Sequence, residues 1–279
     1  VRRILRVKVA CGLFDRPRPA DRPWSSHRSF GSAEHREVAR EAVRKSLVLL
    51  KHQDGVLPLD RGARILVAGK NAHNRGHQCG GFTLEWQGVS GNDRVEGGTS
   101  IWEGIREMAP GAKLSVDASA ALEEVFDAAV VVIGEKPYAE GMGDLRAGDT
   151  RVERGSSLLI QPGSEDLHPY GDTLDLSMLH PEDLETLRAV TARGIPVVAV
   201  LVSGRPLVVN RELEEASAFV AAWLPGSEGQ GVADVLFGEV DFQGRLSFSW
   251  PAHDQQTPNL GDDPYAPLFP YGFGMRMKD

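Results

Sequence analysis

Cysteine is nearly missing from this 279-residue chain: Cys11 and Cys79 are the only two. They supply no disulfide framework, and their spacing matches no structural zinc pattern. Long apolar runs are missing too. Nothing approaches the roughly 18 consecutive apolar residues that a membrane-spanning helix needs. Positive charge is in deficit, with 31 Lys and Arg against 39 Asp and Glu, a net charge of -8 at pH 7. That balance argues against a nucleic-acid partner, because such proteins gather Lys and Arg on one face. The one basic cluster, Arg2, Arg3, Arg6 and Lys8, reads as a solvated helix face. Phosphate-loop and dinucleotide signatures are both absent, so no nucleotide cofactor is expected. No repeat or low-complexity tract occurs. The chain opens without an initiator Met or a signal-like segment, and the expectation is that something precedes it.

What is present is ordinary for a globular protein: 41% hydrophobic and 25% charged residues. That length and composition suffice for one large or two small domains. Residues 1–14 have helical spacing, with Leu5, Val9 and Leu13 on one face. A helix of about that length is marginal alone, so its apolar face is expected to dock on something. A proline-rich linker follows. Ser32 is a candidate N-cap for a helix running through Val38, Val43 and Leu47. Asp54-Gly55, between two apolar runs, signals a hairpin. From residue 64 onward, short β-branched runs alternate with helical patterns of about ten residues. Strands are expected at 64–69, 113–116, 130–133, 196–202 and 218–224, and helices at 100–108, 119–126, 181–192 and 231–237. That alternation indicates a mostly parallel, doubly wound sheet. Residues 244–250 alternate with period two and are expected as an antiparallel edge strand. The aromatic tail, 260–279, is expected to lie over a groove or neighbouring surface.

The sequence Val130-Val-Val-Ile-Gly-Glu-Lys-Pro-Tyr-Ala-Glu-Gly-Met-Gly-Asp144 organises the rest. A buried strand ends at Gly134, and a loop then presents Glu135, Tyr138, Glu140 and Asp144. Ligands of open α/β sheets bind in crevices at such carboxyl ends. Glu135 and Glu140 are both plausible acids, and pattern alone does not rank them. Glycoside hydrolysis would use one as proton donor opposite a second carboxylate. Trp86 stands in a Gly-rich polar loop, where it either stacks on an apolar sugar face or plugs its own domain. His73 and His77 have four-residue spacing, yet lie in a loop without an intervening Glu, so no metal is expected. Gly226 to Gly231 fails the G-x-S-x-G pattern and reads as a tight turn opening a helix.

Several longer stretches, in a fixed order, resemble one family. They are Arg2-Arg-Ile-Leu-Arg-Val-Lys8; Ala42-Val-Arg-Lys-Ser-Leu-Val-Leu-Leu-Lys51; Gln78-Cys-Gly-Gly-Phe-Thr-Leu-Glu-Trp-Gln-Gly88; Gly134-Glu-Lys-Pro-Tyr-Ala-Glu140; Ser203-Gly-Arg-Pro206; Ala222 to Gly231; and Pro267 to Gly274. The chain is similar to the C-terminal part of glycoside hydrolase family three, the β-glucosidases and exo-β-glucanases. The resemblance implies an α/β fold: a three-layer α/β sandwich around a six-stranded, mostly parallel sheet with one antiparallel strand. It divides the chain into a terminal helix of a (β/α)8-type barrel domain (1–17), a linker (18–34) and the sandwich (35–279).

The same resemblance implies retaining, exo-acting hydrolysis of β-glucosides and oligosaccharides from the non-reducing end. Glu140 would be the general acid/base. Trp86, Gln78, Glu135, Tyr138 and Asp144 would bind substrate, of the β-glucan or cello-oligosaccharide type, without cofactor. The family's nucleophile is an Asp in the barrel domain, and no counterpart segment occurs here. This chain alone is therefore expected to be inactive and to need that barrel as partner. The connection over 145–173 is longer than the family pattern; a flap, an inter-subunit contact in a homo-oligomer and a disordered loop all stay open. Export is expected from the family likeness. The rival reading is a non-catalytic carbohydrate-binding or interaction module that kept Trp86.

Overall fold

The computed structural model describes residues 1–139, 152–153, 166–167, 173–257 and 265–278. These divide into two compact units, 1–38 and 39–279. The first holds α1 (Arg2–Ala10), a short 3-10 turn at Pro19–Asp21 and the opening turns of α2 (Ala33–Ser46). Helix α1 buries none of its side chains; Ile4, Val7 and Val9 are all largely exposed.

The second unit is built on a six-stranded sheet. Its strands are β1 (Val48–His52), β2 (Ile65–Ala68), β3 (Lys113–Leu114), β4 (Ala128–Gly134), β7 (Val197–Val202) and β8 (Ala218–Trp223), in the order β1-β8-β7-β4-β2-β3. A separate two-stranded ladder, β5 (Val152–Glu153) with β6 (Asp166–Leu167), falls inside the connection after β4. All pairings in the main sheet are parallel except β1 with β8.

Strands β4 and β7 are buried along their full length, which is why their sequences are apolar and β-branched without alternation. Period two still sorts their side chains between two cores. Val130, Val132, Val198 and Val200 face one way, with Ile101 and Ile105 of α4 (Ile101–Met108) and Val232 and Val235 of α9 (Gly229–Leu236). Ala129, Val131, Ile133, Ala199 and Leu201 face the other way, onto Leu187 and Val190 of α7 (Pro181–Thr191). The short helices α5 (Ala120–Glu123), α6 (Leu176–Leu179) and α8 (Asn210–Glu215) lie on that same side. The result is the expected three-layer sandwich. Helix α4 starts where its residues dictate: Ser100 accepts from the Glu103 N–H, and Glu103 accepts from the Ser100 N–H, a complete capping box. Arg40 grips Asp234 with two bonds of 2.6 Å and Arg44 adds one of 3.2 Å, fastening α2 to α9.

Two expectations fail. The antiparallel strand is β1, not residues 244–250, which form no strand apart from a bridge between Trp250 and Phe269. Trp250 is fully buried and donates its indole N–H to the Leu207 carbonyl, so this alternating segment packs on the α7 side of the sheet instead of extending its edge. Asp54 and Gly55 do turn with positive φ (58° and 62°), but no hairpin forms. Strand β1 pairs with β8 instead, and Leu57 and Leu59 are buried in the core without forming a strand. The aromatic tail closes over this side: Phe269 and Phe273 stack at 4.8 Å against the core, and Met275 donates its N–H to the Leu49 carbonyl.

Candidate active site

The strand order places β2 and β4 side by side, although the chain leaves β2 for β3 on one side and later continues from β4 to β7 on the other. That reversal is the topological switch point where open α/β sheets take ligands. The loops after β2 and β4 emerge there together. Lys70, at the exit of β2, pairs with Asp183 at the N-terminus of α7 (2.5 Å), and Asp183 also accepts the Gly134 N–H at 2.9 Å. Burial pushes the Asp183 carboxyl up to about 6, against the pull of Lys70. Asn71 links the same exits, donating to the Glu135 carbonyl at 3.4 Å and meeting His77 Nδ1 at 2.7 Å.

Gly134 ends β4 with φ +135°, and a Cβ there would sit 1.9 Å from the Val202 carbonyl oxygen. Only glycine lets the chain turn that tightly onto β7. Glu135 follows, 4% exposed. Its carboxylate accepts from Tyr138 Oη (2.9 Å), Ser203 Oγ (3.2 Å) and Arg205 Nε and Nη2 (3.0 and 2.8 Å). The Arg205 guanidinium also lies 5.1 Å from the Tyr138 ring centroid. Glu135, Tyr138 and Arg205 thus form a tied knot at the ends of β4 and β7, directed inward.

A cavity of about 210 Å³ opens beside this knot, lined by His77, Phe82, Lys136, Pro137, Tyr138 and Leu224 among others. Its roof is the loop after α3 (Arg75–Cys79), which contains Trp86. The loop meets the β4 exit backbone to backbone: a Cβ on Gly81 would lie 2.0 Å from the Tyr138 carbonyl oxygen. Gln87 then accepts the Ala139 N–H at 2.6 Å. Trp86 is half-buried, and Phe82 beside it is 68% exposed with φ 60°.

Gln78 is fully buried and does not line the cavity. Its side-chain N–H groups go to the Thr99 and Gly226 carbonyls, and its oxygen accepts the Ile101 N–H. It therefore joins three loops behind the site. Glu140 and Asp144 lie outside the described residues, as does nearly all of the connection over 145–173. His73 bonds Ser100, whereas His77 sits between Asn71 and Ser90; burial, with Lys70 nearby, lowers His77 to about 4. Among the described residues, no group of three His, Cys, Asp or Glu could hold a metal ion.

Sequence reasoning missed Gln87, Ser203, Arg205 and the Lys70–Asp183 pair as parts of the site. Ser203-Gly-Arg205 carried a usable signal, since it follows the buried strand β7 just as Gly-Glu follows β4. Gln87 had none beyond standing next to Trp86.

Comparison with known proteins agrees with this architecture. Residues 47–277 match the glycosyl hydrolase family 3 C-terminal domain. A lysosomal beta glucosidase from Dictyostelium discoideum is 30% identical over 99% of this chain and 33% of its own length. A beta-xylosidase from Formosa agariphila is 29% identical over 98% of this chain and 38% of its own. The crystal structure of an exo-1,3/1,4-beta-glucanase from a Pseudoalteromonas species superposes with a TM-score of 0.82 at 43% identity, over 99% of this chain and 32% of that one. The chain thus spans about a third of the length of the curated relatives it matches. It belongs to glycosyl hydrolase family 3, and residues 47–277 are that family's C-terminal domain.

Proposed function

We propose that this chain provides the acid/base half of a retaining β-glucosidase or exo-β-glucanase. Glu140 protonates the leaving oxygen and then, as carboxylate, activates the water that releases the sugar. Trp86 walls the subsite beyond the cleaved bond. The nucleophilic Asp comes from the family's N-terminal barrel domain, whose face closes over the cavity beside β4. Tyr138, Glu135 and Gln78 serve this site by holding its loops. The observation that carries the reading is the Gln87–Ala139 bond: it ties the residue after Trp86 to the residue before Glu140. A glucoside is the preferred substrate class, in keeping with the names of a glucosidase and a glucanase among the relatives.

The test is Glu140→Ala in the enzyme with its barrel present. The kcat/KM on alkyl or sugar glucosides, whose leaving groups need a proton, should collapse by a factor on the order of 100 or more, while kcat/KM on dinitrophenyl glucoside is spared. Equal loss of kcat/KM on both substrates would remove Glu140 from the role. Retaining chemistry also requires the two carboxyl groups about 5 Å apart. The isolated 279-residue chain should accordingly show no turnover.

A further inference from the structure

Gln87 joins the two loops of the site through a single side-chain bond. Its side-chain oxygen accepts the Ala139 N–H at 2.6 Å. That N–H can only donate, so the orientation of the amide is decided: oxygen toward Ala139, NH2 the other way. The NH2 nitrogen is buried, and it has no hydrogen-bond partner among the described residues. An apolar side chain of the same length would avoid that unmet donor but would leave the buried Ala139 N–H without its acceptor. The chain carries a glutamine there, between Trp86 and Gly88, and its amide makes one bond, to the opposite loop.

That opposite loop is already braced from below. Tyr138 is held through Glu135 to Arg205, and the close approach at Gly81 leaves no space between Tyr138 and the Trp86 loop. Ala139 is the last point at which the brace reaches the chain before Glu140. Among the described residues, Gln87 alone fixes the Ala139 N–H.

We propose that Gln87 is a positioning residue for the proton donor: by holding the Ala139 N–H it fixes the chain immediately before Glu140 to the loop that carries Trp86. The inference rests on the reading of Glu140 given above. It concerns protonation of the leaving group, so it separates from general folding effects by leaving-group dependence.

Two variants of the enzyme with its barrel test this. Gln87→Met keeps the side-chain length, removes the acceptor and removes the unmet donor. Its kcat/KM on alkyl or oligosaccharide glucosides should fall roughly tenfold, since small misplacements of a catalytic group carry losses of that order, and much less on dinitrophenyl glucoside. Its thermal midpoint should stay close to that of the parent, because the unmet Gln87 donor is exchanged for an unmet Ala139 N–H. Gln87→Glu retains the acceptor, so the ratio between the two substrates should recover. The added negative charge should move the alkaline limb of the kcat/KM profile on alkyl glucosides to higher pH by stabilising the protonated donor.

An equal fall on both substrates in Gln87→Met, or no fall on either, overturns the proposal, as does a stationary alkaline limb in Gln87→Glu. Glu140→Ala keeps the two readings distinct. If it shows leaving-group dependence and Gln87→Met does not, only the role of Gln87 is lost. If neither shows it, the assignment of Glu140 fails as well.

Discussion

Arg205 brings two guanidinium nitrogens to within 3.0 and 2.8 Å of a single carboxylate oxygen of Glu135. The other oxygen takes the Tyr138 and Ser203 hydroxyls. A carboxylate so fully bonded anchors the base of the loop, in keeping with the proposal that Glu140 is the proton donor.

Glu135 and Arg205 are both largely out of solvent, with side chains 3% and 16% exposed. Removing one partner strands the other charge, which typically costs about 3–5 kcal/mol. Glu135→Ala and Arg205→Ala should each lower the urea midpoint accordingly. The double change to a well-packed apolar pair should recover much of the loss, and strictly additive losses would show the two residues to be uncoupled.

Glu212 in α8 is fully buried, and neither carboxylate oxygen finds a partner among the described residues. Burial, with smaller repulsion from Asp175 and Asp183, pushes it up to about 7 from 4.5. Between those pH values the folded state binds a proton that the unfolded state has released. Stability therefore falls as pH rises through that window, by roughly 3 kcal/mol for a shift of this size. Glu212→Gln should lack this dependence. Denaturant titrations at pH 5 and pH 8 should show the variant gaining on the parent at the higher pH; parallel curves would count against the assignment.

His77 and His180 show the opposite dependence. Burial foremost, then the positive charge of Lys70, lowers each to about 4. An unfolded histidine takes its proton near about 6.5, so stability falls as pH drops from there toward 4. Proton NMR of the imidazoles should find both neutral at about pH 5.5. A midpoint near the unfolded value for either ring would overturn the prediction for that residue.

Gly81→Ala places a methyl group 2.0 Å from the Tyr138 carbonyl oxygen, so the Trp86 loop must move away from the β4 exit. Activity on unactivated glucosides should drop by a factor on the order of 100, as expected for an ångström-scale misplacement. The same exchange at Gly111, where nothing lies within 4 Å, should leave activity unchanged. A Gly81→Ala enzyme as active as the Gly111→Ala control would show that loop contact to be dispensable.

Periodicity and punctuation alone determined a good deal here. The apolar run ending at Gly134 announced a buried parallel strand and a polar loop at its carboxyl end, and β4 is that strand. Alternating strands and helices announced the sandwich, because each element must hide one face against the next. Pairing was another matter. Residues 244–250 have the better strand pattern, yet Val48–His52 took the antiparallel edge, since the choice depends on which segment fits β8 across a long stretch of chain. The knot at the site is equally non-local: Glu135 and Arg205 are 70 residues apart, and Gln87 and Ala139 are 52 apart. A hydrogen-bond donor's value depends on what lies opposite it, and in this chain only folding decides that.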